Sequence, residues 1–159
     1  KNFNVMGAET HGMAQRGGSV VSHLRLGDVR GSLVQTGTAQ VLLALEENEG
    51  YRNLPFLAPG GGLFVNTSSP SSPSEEVKEF FARHKMKWHG VPGSAIALSM
   101  GASLSSNLAL LGFFSAFGYD PFTHDNLRTV VQEISPDRFR EKNLDVFDAA
   151  FQRGTEENI

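Results

Sequence analysis

The residues best suited to chemistry lie near the amino end. From Thr10 to Gly18 the chain reads Thr-His-Gly-Met-Ala-Gln-Arg-Gly-Gly. His11 and Arg16 can ligate an anion, and the glycines leave backbone N–H groups able to approach a phosphate closely. The same composition also suits a tight crossing between strands that only glycine can make. The run is neither a Walker A nor a GxGxxG sequence, so residue types alone leave both readings standing.

A second group is predicted at the carboxyl ends of strands, where open α/β sheets bind ligands. Glu46, Glu47 and Glu49 follow one strand. A catalytic acid fits there, although complementing the dipole of the next helix is the plainer account. Asn66 and Thr67 close the next strand on the same edge. Asn107 is polar in an apolar helix and is expected to need a buried partner, through capping or interhelical bonding, or to line a site. His11, His23, His84, His89 and His124 are scattered and form no HExxH pair, so no metal site is predicted. His23 lies within a strand and reads as hydrogen-bonded structure. His84 and His89 flank lysines and read as surface. The Pro59-Gly60-Gly61-Gly62 run reads as a connecting turn.

The elements that must position these groups follow from pattern. Strands are predicted over residues 2–7, 19–26, 40–45, 63–66 and 85–91. Val20, Ser22, Leu24 and Leu26 share one face of the second, and the third is a continuous apolar run of the kind buried on both faces. Residues 10–18 are assigned to a loop. Helices are predicted over 46–57, with Pro55 disturbing the last turn, from 74 with acids in the first turn, and over 94–100, 103–117 and 123–134. A final helix starts after Ser135-Pro136, with Ser135 as cap and Phe139, Leu144, Phe147 and Phe151 on its inner face. A Ser/Pro stretch over 67–73 is linker-like but too short to separate domains. The alternation of strands and helices predicts an α/β three-layer sandwich with a mostly parallel sheet, residues 1–159 forming one domain with C-terminal helices as a flap on one edge.

Composition narrows the function. Of 159 residues 40% are hydrophobic and 19% charged, and the formal net charge is −3, which argues against a polyanion binder. There is no cysteine, so disulfides, Cys-ligated iron–sulfur clusters and thiol nucleophiles are excluded on this chain. That absence, with no apolar run of membrane-span length, leads us to expect a cytoplasmic protein.

The run Glu9-Thr10-His11-Gly12-Met13-Ala14-Gln15-Arg16-Gly17-Gly18-Ser19-Val20 resembles the gamma-type subunit of 2-oxoacid:ferredoxin oxidoreductases, the pyruvate/ketoisovalerate oxidoreductase family, and within it the indolepyruvate branch. Ser22-His23-Leu24-Arg25-Leu26-Gly27, Ala44-Leu45-Glu46, Leu57-Ala58-Pro59-Gly60-Gly61, Asn66-Thr67, Asn107-Leu108 and Asn143-Leu144 are similar to further stretches of the family, so the likeness runs along nearly the whole chain. Family members open with a strand and a Gly-x-Gly-Gly-x-Gly loop that this chain lacks. The resemblance therefore implies an absent βα unit of about 25 residues. Residues 91–106 also depart from the family pattern, which leaves the 2-oxoacid open.

The resemblance implies oxidative decarboxylation of a 2-oxoacid, indolepyruvate or another aryl acid, to an acyl-CoA. Thiamine diphosphate with Mg and the iron–sulfur clusters are expected on a larger partner subunit that passes electrons to ferredoxin or another acceptor. This chain would be a subunit of a hetero-oligomer, inactive alone. Thr10, His11, Gln15, Arg16, Gly17 and Gly18 would form a polar wall facing the partner, and Glu46, Asn66, Thr67 and Asn107 would line a coenzyme A site. No residue of this chain is expected to do the covalent chemistry. A purely structural assembly subunit is the competing reading, and a free-standing Rossmann-like nucleotide module is disfavoured by the lack of the glycine loop.

Overall fold

The computed structural model describes residues 3–11, 18–68 and 73–158. Strands β1 (Val5–His11) and β2 (Val20–Leu26) form a two-stranded antiparallel ribbon, with Val5 opposite Leu26 and His11 opposite Val20. Strands β3 (Ala39–Ala44), β4 (Leu57–Asn66) and β5 (Lys87–Val91) form a separate parallel sheet in that order. Helices α1 (Glu47–Arg52), α2 (Glu75–Arg83), α3 (Gly93–Ser99), α4 (Ser106–Ser115), α5 (His124–Ile134) and α6 (Asp137–Glu157) complete the chain, with a 3-10 turn at Leu54–Phe56.

Alternation along β4 divides the core in two. Leu63 and Val65 pack on one side with Ala44, Leu57 and Phe81 and with Tyr51 and Val77, from α1 and α2. Phe64 points to the other side, with Val91 of β5 and with Ala97, Phe113, Phe114, Val146 and Ala150 from α3, α4 and α6. The expected three layers are therefore present, because a parallel sheet needs both faces covered. The Phe64 ring is surrounded by His89, Phe114, Phe117 and Tyr119, with centroids 4.8, 5.0, 5.0 and 5.9 Å away.

Several expectations need correction. β1 extends through Thr10 and His11, which read as loop. The apolar face of β2 is the outer one: Val20 is 58% and Leu24 53% exposed, while His23 is buried. β3 is an edge strand of the sheet, with Leu43 exposed, so it is not buried on both faces. The Pro59–Gly62 run is no turn between elements but the early part of β4. While β3 advances from Ala39 to Val41, β4 advances from Leu57 to Gly62, and this bulge absorbs the glycines, with Gly60 at φ +82°. Leu57 accordingly begins a strand and does not end a helix.

The C-terminal helices do not form an edge flap. α6 lies against α4 in the layer under the sheet, with Val146, Phe147 and Ala150 fully buried. The crossing is close because Gly112 has no side chain: a Cβ there would stand 2.1 Å from the Phe147 carbonyl oxygen. Phe139 is 47% exposed with Arg138 over its ring, and so is not on the inner face. Ser135 closes α5 instead of capping α6, and its hydroxyl accepts from Asn143 Nδ2 at 3.0 Å. The helices expected to start at residues 74 and 123 do start there, and Ser74 and Thr123 cap them, each hydroxyl accepting the N–H three residues on. Among the described residues no helix is long and apolar enough to cross a membrane.

Candidate functional site at the carboxyl edge of the sheet

β3, β4 and β5 end on one edge, and the chain turns there into α1 and α3. Asn66, the last residue of β4, ties these turns together. Its Nδ2 donates to the Leu45 carbonyl at 3.1 Å and to Ser94 Oγ at 2.9 Å, and its Oδ1 accepts from Ser94 N at 3.0 Å. Both amide hydrogens are thus used within the chain. Thr67 is buried, and its hydroxyl donates to Glu47 Oε2 at 2.8 Å. The other oxygen of Glu47 accepts from the Tyr51 hydroxyl at 2.6 Å. Burial first, and the Glu47 carboxylate second, push Tyr51 up to about 12. The buried Trp88 indole N–H, which has no partner at hydrogen-bond geometry among the described residues, lies near enough to oppose that rise.

Glu49 connects this edge to the amino-terminal run. Ser19 Oγ donates to Glu49 Oε2 at 2.5 Å, and Arg52 pairs with the other oxygen. The Ser19 hydrogen bond, with help from Arg52, holds the Glu49 carboxyl below its ordinary value against a smaller opposing effect of burial. Ser19 ends the segment that begins at His11.

The predicted site residues divide as follows. Thr10 is in β1, exposed, with its hydroxyl donating to the Val21 carbonyl. His11 is the last residue of β1, and Gly18 lies just before β2. Gln15, Arg16 and Gly17 lie outside the described residues. Glu46 precedes α1 as an exposed carboxylate with no side-chain capping bond. Asn107 is exposed in the first turn of α4, so the buried partner expected for it is not needed. The interhelical amide is Asn143 instead, which also accepts from Ser105 Oγ at 2.9 Å. Gly93 places α4 at this edge: a Cβ there would lie 3.1 Å from Asn66 Oδ1 and 3.3 Å from the Ser106 carbonyl oxygen.

Ser19 and Ser94 are members of this constellation that the sequence alone did not single out, whereas Glu49 was already marked with Glu46 and Glu47. Ser94 alone carried a signal, since a serine opening a helix just after a strand commonly bonds to a neighbouring turn. The edge carries Glu46, Glu47 and Glu49 together, and its amide and hydroxyl donors Asn66 and Thr67 are spent. This donor set does not fit a phosphate-bearing ligand, because carboxylates repel phosphates and spent donors cannot solvate them.

The histidines lie elsewhere. His23 Nδ1 accepts the Val34 N–H at 3.3 Å and its ring packs edge-on to Phe56, as its structural reading expected. His84 is on the surface against Phe80. His89 is not: it stacks on Phe64, bonds Glu157 at 3.1 Å, and is lowered by burial against the opposing pull of that carboxylate. His124 bridges Asp125 and Asp148, each at 3.1 Å. Among the described residues no three acidic or histidine side chains gather as a metal would require.

Comparison with known proteins agrees with this architecture. A model of the family described as pyruvate ferredoxin/flavodoxin oxidoreductase matches residues 1–153. Indolepyruvate oxidoreductase subunit IorB of Methanothermobacter thermautotrophicus is 32% identical over an alignment 167 positions long, covering 98% of this chain and 85% of that protein. The subunit of the same name from Archaeoglobus fulgidus is 34% identical over 153, covering 89% and 76%. The fold is similar to the gamma subunit of keto/oxoacid ferredoxin oxidoreductase from Geobacter sulfurreducens, with a TM-score of 0.70 at 18% identity over 97% of this chain and 82% of that one. It is also similar to 2-oxoglutarate:ferredoxin oxidoreductase from Magnetococcus marinus, solved with 2-oxoglutarate, coenzyme A and succinyl-CoA bound. There the TM-score is 0.62 at 20% identity, over 98% of this chain and 26% of that one.

Proposed function

Because the chain belongs to the pyruvate ferredoxin/flavodoxin oxidoreductase family, we propose that it is the thiamine-free, cluster-free subunit of a 2-oxoacid:ferredoxin oxidoreductase acting on indolepyruvate or a related aryl 2-oxoacid. The observation that carries this reading is the Thr10–Gly18 run, whose far end is tied to the carboxyl edge of the sheet by the Ser19–Glu49 bond. The chain has no cysteine to hold a cluster. Thiamine diphosphate with Mg and the clusters belong, on this reading, to the larger subunit.

The polar wall comprises Thr10, His11, Gln15, Arg16, Gly17 and Gly18. Asn66 and Thr67 serve as internal braces of the carboxyl edge, bonded to Leu45, Ser94 and Glu47. Contact with coenzyme A, where the complex uses it, runs through Arg16 and the exposed Asn107 instead of Glu46, Asn66 or Thr67. A purely assembling role is the second reading, favoured by the internal pairing along the edge.

The chain purified alone should not oxidise 2-oxoacids. Turnover without a thiamine-binding chain overturns the subunit reading. In the assembled enzyme Arg16→Ala should raise the apparent KM for coenzyme A by about tenfold, the scale of one lost charge-assisted hydrogen bond, with thiamine content unchanged. An unaltered KM leaves the run as architecture only.

A further inference from the structure

At the opposite end of the ribbon from Ser19, the segment between β2 and β3 folds over a solvent-open cleft of about 670 Å³, lined by Arg25, Asp28, Arg30, Ser32, Leu33 and Gln35 among others. Seven paired residues of β2 separate the two ends, roughly 20 Å at the rise of a strand. The cleft is braced. Arg25 is half-buried on the inner face of the ribbon, and its Nη1 donates to the Gly31 carbonyl at 2.8 Å and the Leu33 carbonyl at 3.5 Å. The Val34 N–H is held by His23, Gly37 N–H donates to the Pro55 carbonyl at 2.8 Å, and Asn4 holds both Gly27 and Val29.

What is not used is as informative. Arg25 Nε and Nη2 make no hydrogen bond among the described residues, and neither Arg30 nor Asp28 takes part in an ion pair or hydrogen bond there. Two guanidinium groups, one already immobilised, thus stand in one cleft of an otherwise acidic protein. A guanidinium presents parallel donors that match an oxyanion bidentately, and immobilising it beforehand lowers the entropy cost of binding.

We propose that this cleft binds the phosphate group of a small organic ligand. A monocarboxylate has two oxygens and is saturated by one arginine fork. A phosphate can span both forks and still accept from Ser32 or Gln35. The exposed Leu33 offers an apolar wall for the rest of the ligand. The volume lies within the range of small-molecule sites, about 300–1,000 Å³. Asp28 sets a limit on affinity, since its carboxylate opposes the bound anion. The inference does not depend on the proposed role of the Thr10–Gly18 run.

The test is isothermal titration of the full chain with pyrophosphate and, separately, with acetate, at fixed ionic strength. Pyrophosphate should bind saturably at one site, and acetate more weakly. Arg30→Gln should weaken pyrophosphate by about tenfold or more. Arg30→Lys should recover part of the loss, and Asp28→Asn should bind more tightly than the unaltered protein. Arg30 is exposed, so a melting temperature unchanged in Arg30→Gln shows that the fold is intact. The assignment is overturned by an absence of saturable heat with pyrophosphate, by undiminished binding in Arg30→Gln, or by acetate binding as tightly as pyrophosphate.

Discussion

The two ends of the ribbon are built on opposite principles. At the Ser19 end, carboxylates and amides are consumed within the chain: Glu49 by Ser19 and Arg52, Glu47 by Thr67 and Tyr51, Asn66 by Leu45 and Ser94. At the Leu26 end, one arginine is half consumed and a second is left open. A group whose partners are all internal fixes geometry, and a charged group with open donors is available to a ligand. Substitutions at the first end should therefore cost stability, and at the second should cost binding.

The largest expected effect on stability is at Asn66. Asn66→Ala leaves the Ser94 N–H and the Leu45 carbonyl without their partner and should cost about 1–2 kcal/mol, seen as a lower midpoint in denaturant. The cost stays moderate because Ser94 is exposed and water can replace part of the bond. If Asn66→Ala melts like the unaltered protein, the edge is less saturated than its geometry indicates.

The Glu47–Tyr51 pair gives a pH test. The folded chain holds the Tyr51 proton more tightly than the unfolded chain, whose tyrosine titrates near 10. Its stabilising contribution is complete below pH 10 and is lost as pH rises toward about 12. Stability should decline over that window, and Glu47→Gln should make the decline shallower and shift tyrosinate absorbance to lower pH. His89 works at the acid end. Burial depresses its folded value, so its contribution is present above the unfolded value of about 6.5 and is lost as pH falls through the folded one. His89→Gln should flatten the acid side of the stability profile.

Smaller effects sharpen the contrast. Ser19→Ala should let the Glu49 carboxyl rise toward its ordinary value, as read by carbon NMR, with little change in melting temperature because Glu49 is solvent-facing. Arg30→Gln should leave stability within about 0.5 kcal/mol of the unaltered protein while weakening pyrophosphate binding by about tenfold or more. A large stability loss there would erase the distinction between the two ends.

Much of the fold was legible along the chain. The helix starts at Ser74 and Thr123 were marked by side chains that satisfy N–H groups three residues away, a signal that needs no tertiary contact. The parallel sheet followed from the alternation of strands and helices. The site was legible only in part. Glu46, Asn66, Thr67 and Asn107 do come to one edge, but that Asn66 and Thr67 face inward was not visible, because Ser94 and Glu47 are 28 and 20 residues away. The Arg25–Arg30 cleft went unread for the same reason: Arg25 faces inward on a strand that turns Val20 and Leu24 outward, the reverse of the usual rule.

By itself the sequence determined the layer architecture, the absence of any thiol chemistry, and the family to which the Thr10–Gly18 run belongs. Each of these depends on residue identity or on spacings of a few residues. Only the tertiary structure decided that Pro59–Gly62 is a bulge within β4, that α6 lies in the core against Gly112, and which polar groups are spent and which are open. Those outcomes depend on what a distant segment brings to within about 3 Å, and hydrogen bonding and steric contact act only at that range.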